Sequence, residues 1–134
     1  MTKKSDRDKI ALVTGASRGI GRATAVALAN AGARVIIHYG RSASEANALR
    51  EQIETSGGQA DTVSADLASP DGATRLAEQV RNITDGKLDV LVANAGISKA
   101  APIEHHTVTD FDNLFATNVR APFLSGPTAI NSAW

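Results

Sequence analysis

The stretch that most constrains this chain is LVTGASRGIG, residues 12–21. A short apolar run, Ile10 to Val13, stops at Thr14-Gly15, and Gly15, Gly19 and Gly21 then fall within seven residues. Glycine loses more backbone freedom on folding than any other residue, so a cluster of glycines in an ordered segment needs a reason. A buried strand that turns sharply and feeds a helix supplies one. Downstream, Ile20, Ala23, Ala27, Leu28 and Ala31 recur at three-and-four spacing and predict the inward face of that helix. Gly32 sits where a helix C-terminus favours positive φ.

The alternation then repeats. Val35-Ile36-Ile37 reads as a second strand. Ser42 or Ser44 caps a second helix, with Ala46, Leu49 and Ile53 inward and Glu45, Arg50, Glu51 and Glu54 on a solvated face, and Gly57-Gly58 ends it. Ala60 to Ala65 is a third strand, with Val63 its one large apolar residue. Ser69-Pro70-Asp71 then offers a cap, a proline at the first helical position and an acid in the first turn. The third helix is buried through Ala73, Leu76, Ala77, Val80 and Ile83. Leu88 to Ala93 is a fourth strand and runs into Asn94-Ala95-Gly96; Phe111, Leu114, Phe115, Asn118 and Val119 continue at helical spacing. Strands alternating with helices predict crossover units, a parallel sheet and helices on both of its faces. The fold class is α/β, a Rossmann-like doubly wound parallel sheet of about four strands. At 134 residues the chain has room for one domain with a core, not two.

Composition removes several functions. Fourteen basic and fourteen acidic side chains cancel, leaving no electrostatic footprint for nucleic acid. There is no cysteine, hence no disulfide, thiolate catalysis or cysteine metal site. His105 and His106 are adjacent, face different ways on any regular element and have no partner cluster, so no metal site is expected. The charged start MTKKSDRDK has no signal-peptide character, and no apolar run approaches the roughly 20 residues of a membrane helix. A soluble cytoplasmic protein is expected.

The glycines have a chemical use in this context. In a parallel sheet, ligands bind beyond the C-terminal ends of the strands, where the strand order reverses. A helix N-terminus there offers free N–H groups and partial positive charge to a phosphate. Gly15 can make the turn, Gly19 can let the backbone approach a diphosphate, and Gly21 can let the helix pack closely. An ordinary glycine-rich turn has the same composition; the strand–helix context favours a dinucleotide site. Dinucleotide sites for NAD place an acid about 20 residues past the glycines. Nothing from Arg22 to Ser44 is acidic, and the second strand runs into His38-Tyr39-Gly40-Arg41-Ser42. Arg41, and Arg18 in the glycine segment, suit a 2′-phosphate, so NADP is expected over NAD.

The spacing Thr14-Gly15-x-x-x-Gly19-x-Gly21, with Asn94-Ala95-Gly96 and Asn118, resembles the short-chain dehydrogenase/reductase family over roughly residues 8–124, in its 3-oxoacyl-reductase-like flavour. The resemblance implies hydride transfer between a nicotinamide cofactor and a small carbonyl or alcohol substrate. It implies cofactor contacts from Gly15, Ser17, Arg18, Gly19, Ile20 and Gly21, from Tyr39, Arg41 and Ser42, and from Asn94, Ala95 and Gly96. Asp66 would contact the adenine amino group and the Leu67 amide a ring nitrogen. Ala93 stands where relatives often carry another asparagine. Asn118 matches the asparagine that holds a water in the proton relay; it also fits a local role, pinning a kink that Pro122 encourages. Homo-oligomers are common among such relatives.

The resemblance stops at the proton donor. The family uses a serine and a Tyr-x-x-x-Lys element. Here Tyr39 is the only tyrosine and Ala43 stands four residues later, while Ser125 and Ser132 lie too close to Asn118. Residues 1–134 are therefore expected to be the N-terminal part of an NAD(P)-binding domain, with residues 125–134 an atypical tail. Such a chain is truncated before its catalytic element and inactive alone; the alternatives are a non-catalytic dinucleotide-binding module or an inactive truncated product.

Overall fold

The structure, a computed structural model, describes residues 9–95, 107–109 and 112. Strand and helix alternate as β1 (Ile10–Val13), α1 (Gly19–Asn30), β2 (Arg34–Tyr39), α2 (Ala43–Thr55), β3 (Gln59–Ser64), α3 (Gly72–Thr84) and β4 (Val90–Val92). Every strand pair is parallel, and the order across the sheet is β3-β2-β1-β4. Leu12 of β1 lies opposite Ile36 on one side and Leu91 on the other. The chain steps outward through β2 and β3, then crosses back past β1 to β4. That reversal opens a crevice beyond the C-terminal ends of β1 and β4.

β1 and β2 are apolar throughout their centres because successive side chains point to opposite faces and both faces are covered. Leu12 and Ile36 join one core with Val63 and with Ala73, Leu76, Ala77 and Val80 of α3. Val13, Val35 and Ile37 point the other way, into a core with Ala25 of α1 and Ala46, Leu49 and Ile53 of α2. The sheet is thus doubly wound, as the alternation predicted. β3 begins one residue earlier than expected, and β4 is shorter than the run from Leu88 to Ala93, although Leu88 is buried in the α3-side core.

Two local expectations fail. On α1 the buried residues are Gly21 and Ala25, with Val26, Leu28 and Ala29 packed beside them. Ile20 is 79% exposed, and Ala23, Ala27 and Ala31 face solvent. Alanine fills every second position from 23 to 31, so apolarity does not choose a face. Close approach to the sheet does, by turning the smallest residue, Gly21, inward. On α3 the cap is Asp71, and Pro70 precedes the helix instead of opening it. The Asp71 carboxylate makes no cap bond to the first turn. It accepts the Ser69 hydroxyl at 2.5 Å and Arg75 Nε at 2.6 Å. Those two hydrogen bonds hold its carboxyl below the usual range. The segment is fixed by tight turns, Ser69 N–H to the Asp66 carbonyl and Gly72 N–H to the Ser69 carbonyl, both at 3.0 Å. A Cβ on Gly72 would strike the Asp66 carbonyl oxygen. Ser42 caps α2 by position, without a side-chain bond. Gly32, just past α1, has φ +100° as its place predicts. The stripe from Phe111 to Val119, the tail, and His105 and His106 lie outside the described residues, apart from an isolated helical position at 112.

Candidate functional site

The crevice is built by the chain leaving β1. Gly15 has φ +61° and Gly19 φ +65°, a region other residues rarely adopt. A Cβ on Gly15 would come within 2.8 Å of Ala95 Cα. A Cβ on Gly21 would lie 2.5 Å from the Gly15 carbonyl oxygen and collide with the Asn94 side chain. Around Gly19 nothing lies within 4 Å of the place a Cβ would occupy. Gly15 and Gly21 are thus required by the protein's own packing, while Gly19 presents bare backbone to open space.

α1 starts at this bend with its donors unclaimed by side chains. Its cap, Arg18, has extended backbone and makes no side-chain cap bond, and the first turn holds no acid. The first helical bond runs from Arg22 N–H to the Arg18 carbonyl at 3.4 Å, so the amides of Gly19, Ile20 and Gly21 precede the helical ladder. The positive end of the helix dipole lies here as well, and the combination suits an anion. A cleft of about 610 Å³ opens at the opposite edge, between the ends of α1 and α2 and the start of β3. It is lined by helix C-termini, whose carbonyl ends disfavour phosphate.

A polar scaffold holds the bend. Thr14 Oγ1 accepts the amides of Asn94 and Ala95, both at 3.0 Å, and the Thr14 amide donates to the Val92 carbonyl at 3.0 Å. Asn94 Nδ2 donates to the Gly15 carbonyl at 3.1 Å. From the other side, the Gly15 amide donates to His38 Nδ1 at 3.0 Å. His38 Nε2 lies 2.9 Å from the Ala65 carbonyl, which requires the proton on Nε2 and a neutral ring. His38 is 3% exposed. Burial pushes its pKa below the ordinary value, and the bond to Ala65 works in the other direction. The His38 carbonyl also accepts the Ala16 amide at 3.0 Å.

The sequence reading assigned Thr14 and His38 no role. Their signals were a hydroxyl immediately before the first glycine and one polar residue within the apolar run of β2. The other named residues gather at the same sheet edge. Ser17 is buried, and Arg18 and Arg41 are exposed on the segments that follow β1 and β2. Tyr39 packs against the α1–α2 core and its carbonyl accepts the Ala65 amide at 3.3 Å. Asp66 is exposed, with Oδ1 accepting the Ala68 amide at 3.0 Å. Leu67 turns its side chain into the α3-side core. Gly96 and Asn118 lie outside the described residues.

Known proteins resemble this chain in sequence and fold. A family model for short chain dehydrogenases matches residues 9–132. A hydroxynaphthalene reductase of Aspergillus fumigatus is 44% identical over 114 residues, which cover 84% of this chain and 41% of that protein. Among solved structures, the angucycline C-6 ketoreductase LanV with bound NADP superposes with a TM-score of 0.85 at 42% identity, covering 93% of this chain and 51% of that one. A short chain dehydrogenase from Burkholderia cenocepacia in complex with NADP gives 0.85 at 41% identity, covering 92% and 50%. The chain thus spans about half the length of the relatives it matches.

Proposed function

The chain belongs to the short chain dehydrogenase family, and from that footing we propose that it is the NADP-binding portion of a cytoplasmic reductase acting on a small carbonyl or alcohol substrate. The observation that carries this reading is the uncapped, acid-free start of α1 at the β1–β4 crevice, with Gly19 facing open space. The pyrophosphate takes the amides of Gly19, Ile20 and Gly21, with the Ser17 hydroxyl beside them. Arg18, Arg41 and Ser42 take the 2′-phosphate; an acid, which would repel it, is missing from residue 22 to residue 44. Asp66 and the Leu67 amide face the adenine, and Asn94, Ala95 and Gly96 border its ribose. Exposed Ile20 gives an apolar contact at the mouth. NADP supplies the hydride-transfer chemistry when bound. Asn118 holds the relay water. Relatives solved with NADP support the choice of cofactor.

One observation favours a narrower role for these 134 residues by themselves. Hydride transfer to a carbonyl needs a proton donor for the developing alkoxide. The single tyrosine, Tyr39, packs against the α1–α2 core and is followed four residues later by Ala43, not lysine. On this reading the chain alone binds the cofactor without turning it over. Calorimetric titration tests both statements. NADP is expected to bind at least about tenfold more tightly than NAD, since a charge-assisted bond contributes about 1.5–3 kcal/mol. Arg41→Ala should shrink that preference, and NADPH with a carbonyl substrate should show no turnover. Equal affinity for the two dinucleotides rejects the NADP assignment, and measurable turnover rejects the narrower role.

A further inference from the structure

We infer that His38 is a positioning residue for the dinucleotide site: from the strand between them, its ring ties the bend after β1 to the segment after β3. This inference rests on the NADP reading above. β2 lies between β1 and β3 in the sheet, so the ends of β1 and β3 are not neighbours. His38 reaches both, taking the Gly15 amide on Nδ1 at 3.0 Å and placing Nε2 at 2.9 Å from the Ala65 carbonyl. Gly15 opens the pyrophosphate bend, and Ala65 directly precedes Asp66 on the adenine side. One side chain therefore sets the spacing between the two halves of the site. The two ring nitrogens act with opposite polarity, one accepting and one donating, and only the neutral ring with its proton on Nε2 serves both.

A second proton would land on Nδ1 and face the Gly15 N–H, donor against donor. Acid should therefore loosen the bend before it unfolds the sheet. The titratable and charged groups on the surrounding segments are Arg18 in the bend, Tyr39 at the end of β2 and Arg41 after it, Asp66 after β3, and Asp71, Arg75 and Glu78 at the cap and in the first half of α3. Both ring nitrogens are taken by main-chain groups and not by any of these. Burial lowers the affinity of the ring for that second proton, in keeping with a neutral role near pH 7.

The test compares the wild-type chain with His38→Asn and His38→Gln, titrating NADP between about pH 7.5 and 5.5 with a thermal melt of each variant. Asparagine keeps an acceptor where Nδ1 sits but does not reach Ala65. Glutamine reaches Ala65 with a donor and leaves the Gly15 amide without its acceptor. Each variant keeps one of the two anchors and loses the other, so each should bind NADP about tenfold more weakly than wild type at the upper pH. The 2′-phosphate of NADP titrates near pH 6 itself, so the readout is the difference between profiles. Wild type should lose affinity more steeply than His38→Asn as pH falls. Imidazole ¹⁵N signals of the wild type should report the Nε2–H tautomer, whatever the folding of the variants. If wild type binds NADP but either variant binds as tightly, the pH profiles superpose, or the tautomer is Nδ1–H, the positioning role is overturned. If wild type binds NADP at no pH, the NADP reading itself fails and takes this role with it.

Discussion

At Thr14 one oxygen accepts two distant amides, those of Asn94 and Ala95, and the Asn94 amide is shared with the Val92 carbonyl. Thr14→Val keeps the shape and removes the acceptor. The Asn94 amide keeps the Val92 carbonyl at 3.0 Å, so the substitution leaves the Ala95 amide without its acceptor and should cost about 1–3 kcal/mol, whereas Thr14→Ser should cost under about 1 kcal/mol. Chemical denaturation checks this, and equal losses for valine and serine would show that the hydroxyl is not the anchor. His38 sets a pH dependence. Its folded-state pKa lies below the unfolded value of 6.5, so between the two the unfolded chain binds a proton that the folded chain does not. Stability is therefore fully present above 6.5 and declines as pH falls through the lowered folded value. Asp71, held low by Ser69 and Arg75, adds a loss further into acid, below its ordinary 3.8. Urea midpoints across this range should fall with pH for wild type and stay flatter near pH 6 for His38→Asn; a midpoint that rises on acidification would contradict the assignment. The glycines of the bend could be read from sequence because they cluster within seven residues at a strand–helix junction, even though Ala95 and Asn94, which crowd Gly15 and Gly21, lie far along the chain. Thr14 and His38 could not, because their partners lie 80 and 81 residues away for Thr14 and 23 and 27 for His38.

At the scale of elements, α2 and α3 were legible because large residues mark their inner faces, Leu49 and Ile53 on one and Leu76 and Val80 on the other. α1 was legible as a helix and not in its rotation. Its inner face is made of what is small, Gly21 and Ala25, and smallness leaves little trace in a hydrophobic pattern. The start of α3 was misjudged for a related reason: the Ser69-Pro70-Asp71 signal is genuine, but turns anchored at Asp66 shift the helix to Gly72. The rotation of α1 yields a paired prediction. Ala25→Leu should overpack the face against the sheet and cost about 1–3 kcal/mol, while Ala27→Leu on the exposed face should change stability by less than about 0.5 kcal/mol. Thermal or chemical melts of the two variants decide; the opposite order would mean that α1 packs on the face containing Ala27.

At the scale of the molecule, the alternation of strand and helix was enough to specify the architecture. A parallel sheet with apolar residues on both faces must be covered twice, and the two cores divide along that line. The placement of the crevice followed too, because reversal of strand order fixes where it opens. What did not follow was how the ends of four strands are bonded to one another, since this depends on register between segments far apart in the chain.

The tie between Thr14 and Ala95 spans 81 residues, and that has a consequence for the order of events during synthesis. The glycine signature leaves the ribosome early, but the amides that brace it arrive much later, after all three crossover helices. Competence to hold a cofactor should therefore appear abruptly and late in translation, not gradually. Nascent chains stalled before Ala95 clears the exit tunnel should pass through an immobilised NADP resin, and those stalled after it should be retained. Retention of the shorter chains would mean that the bend acquires its shape without help from its distant brace.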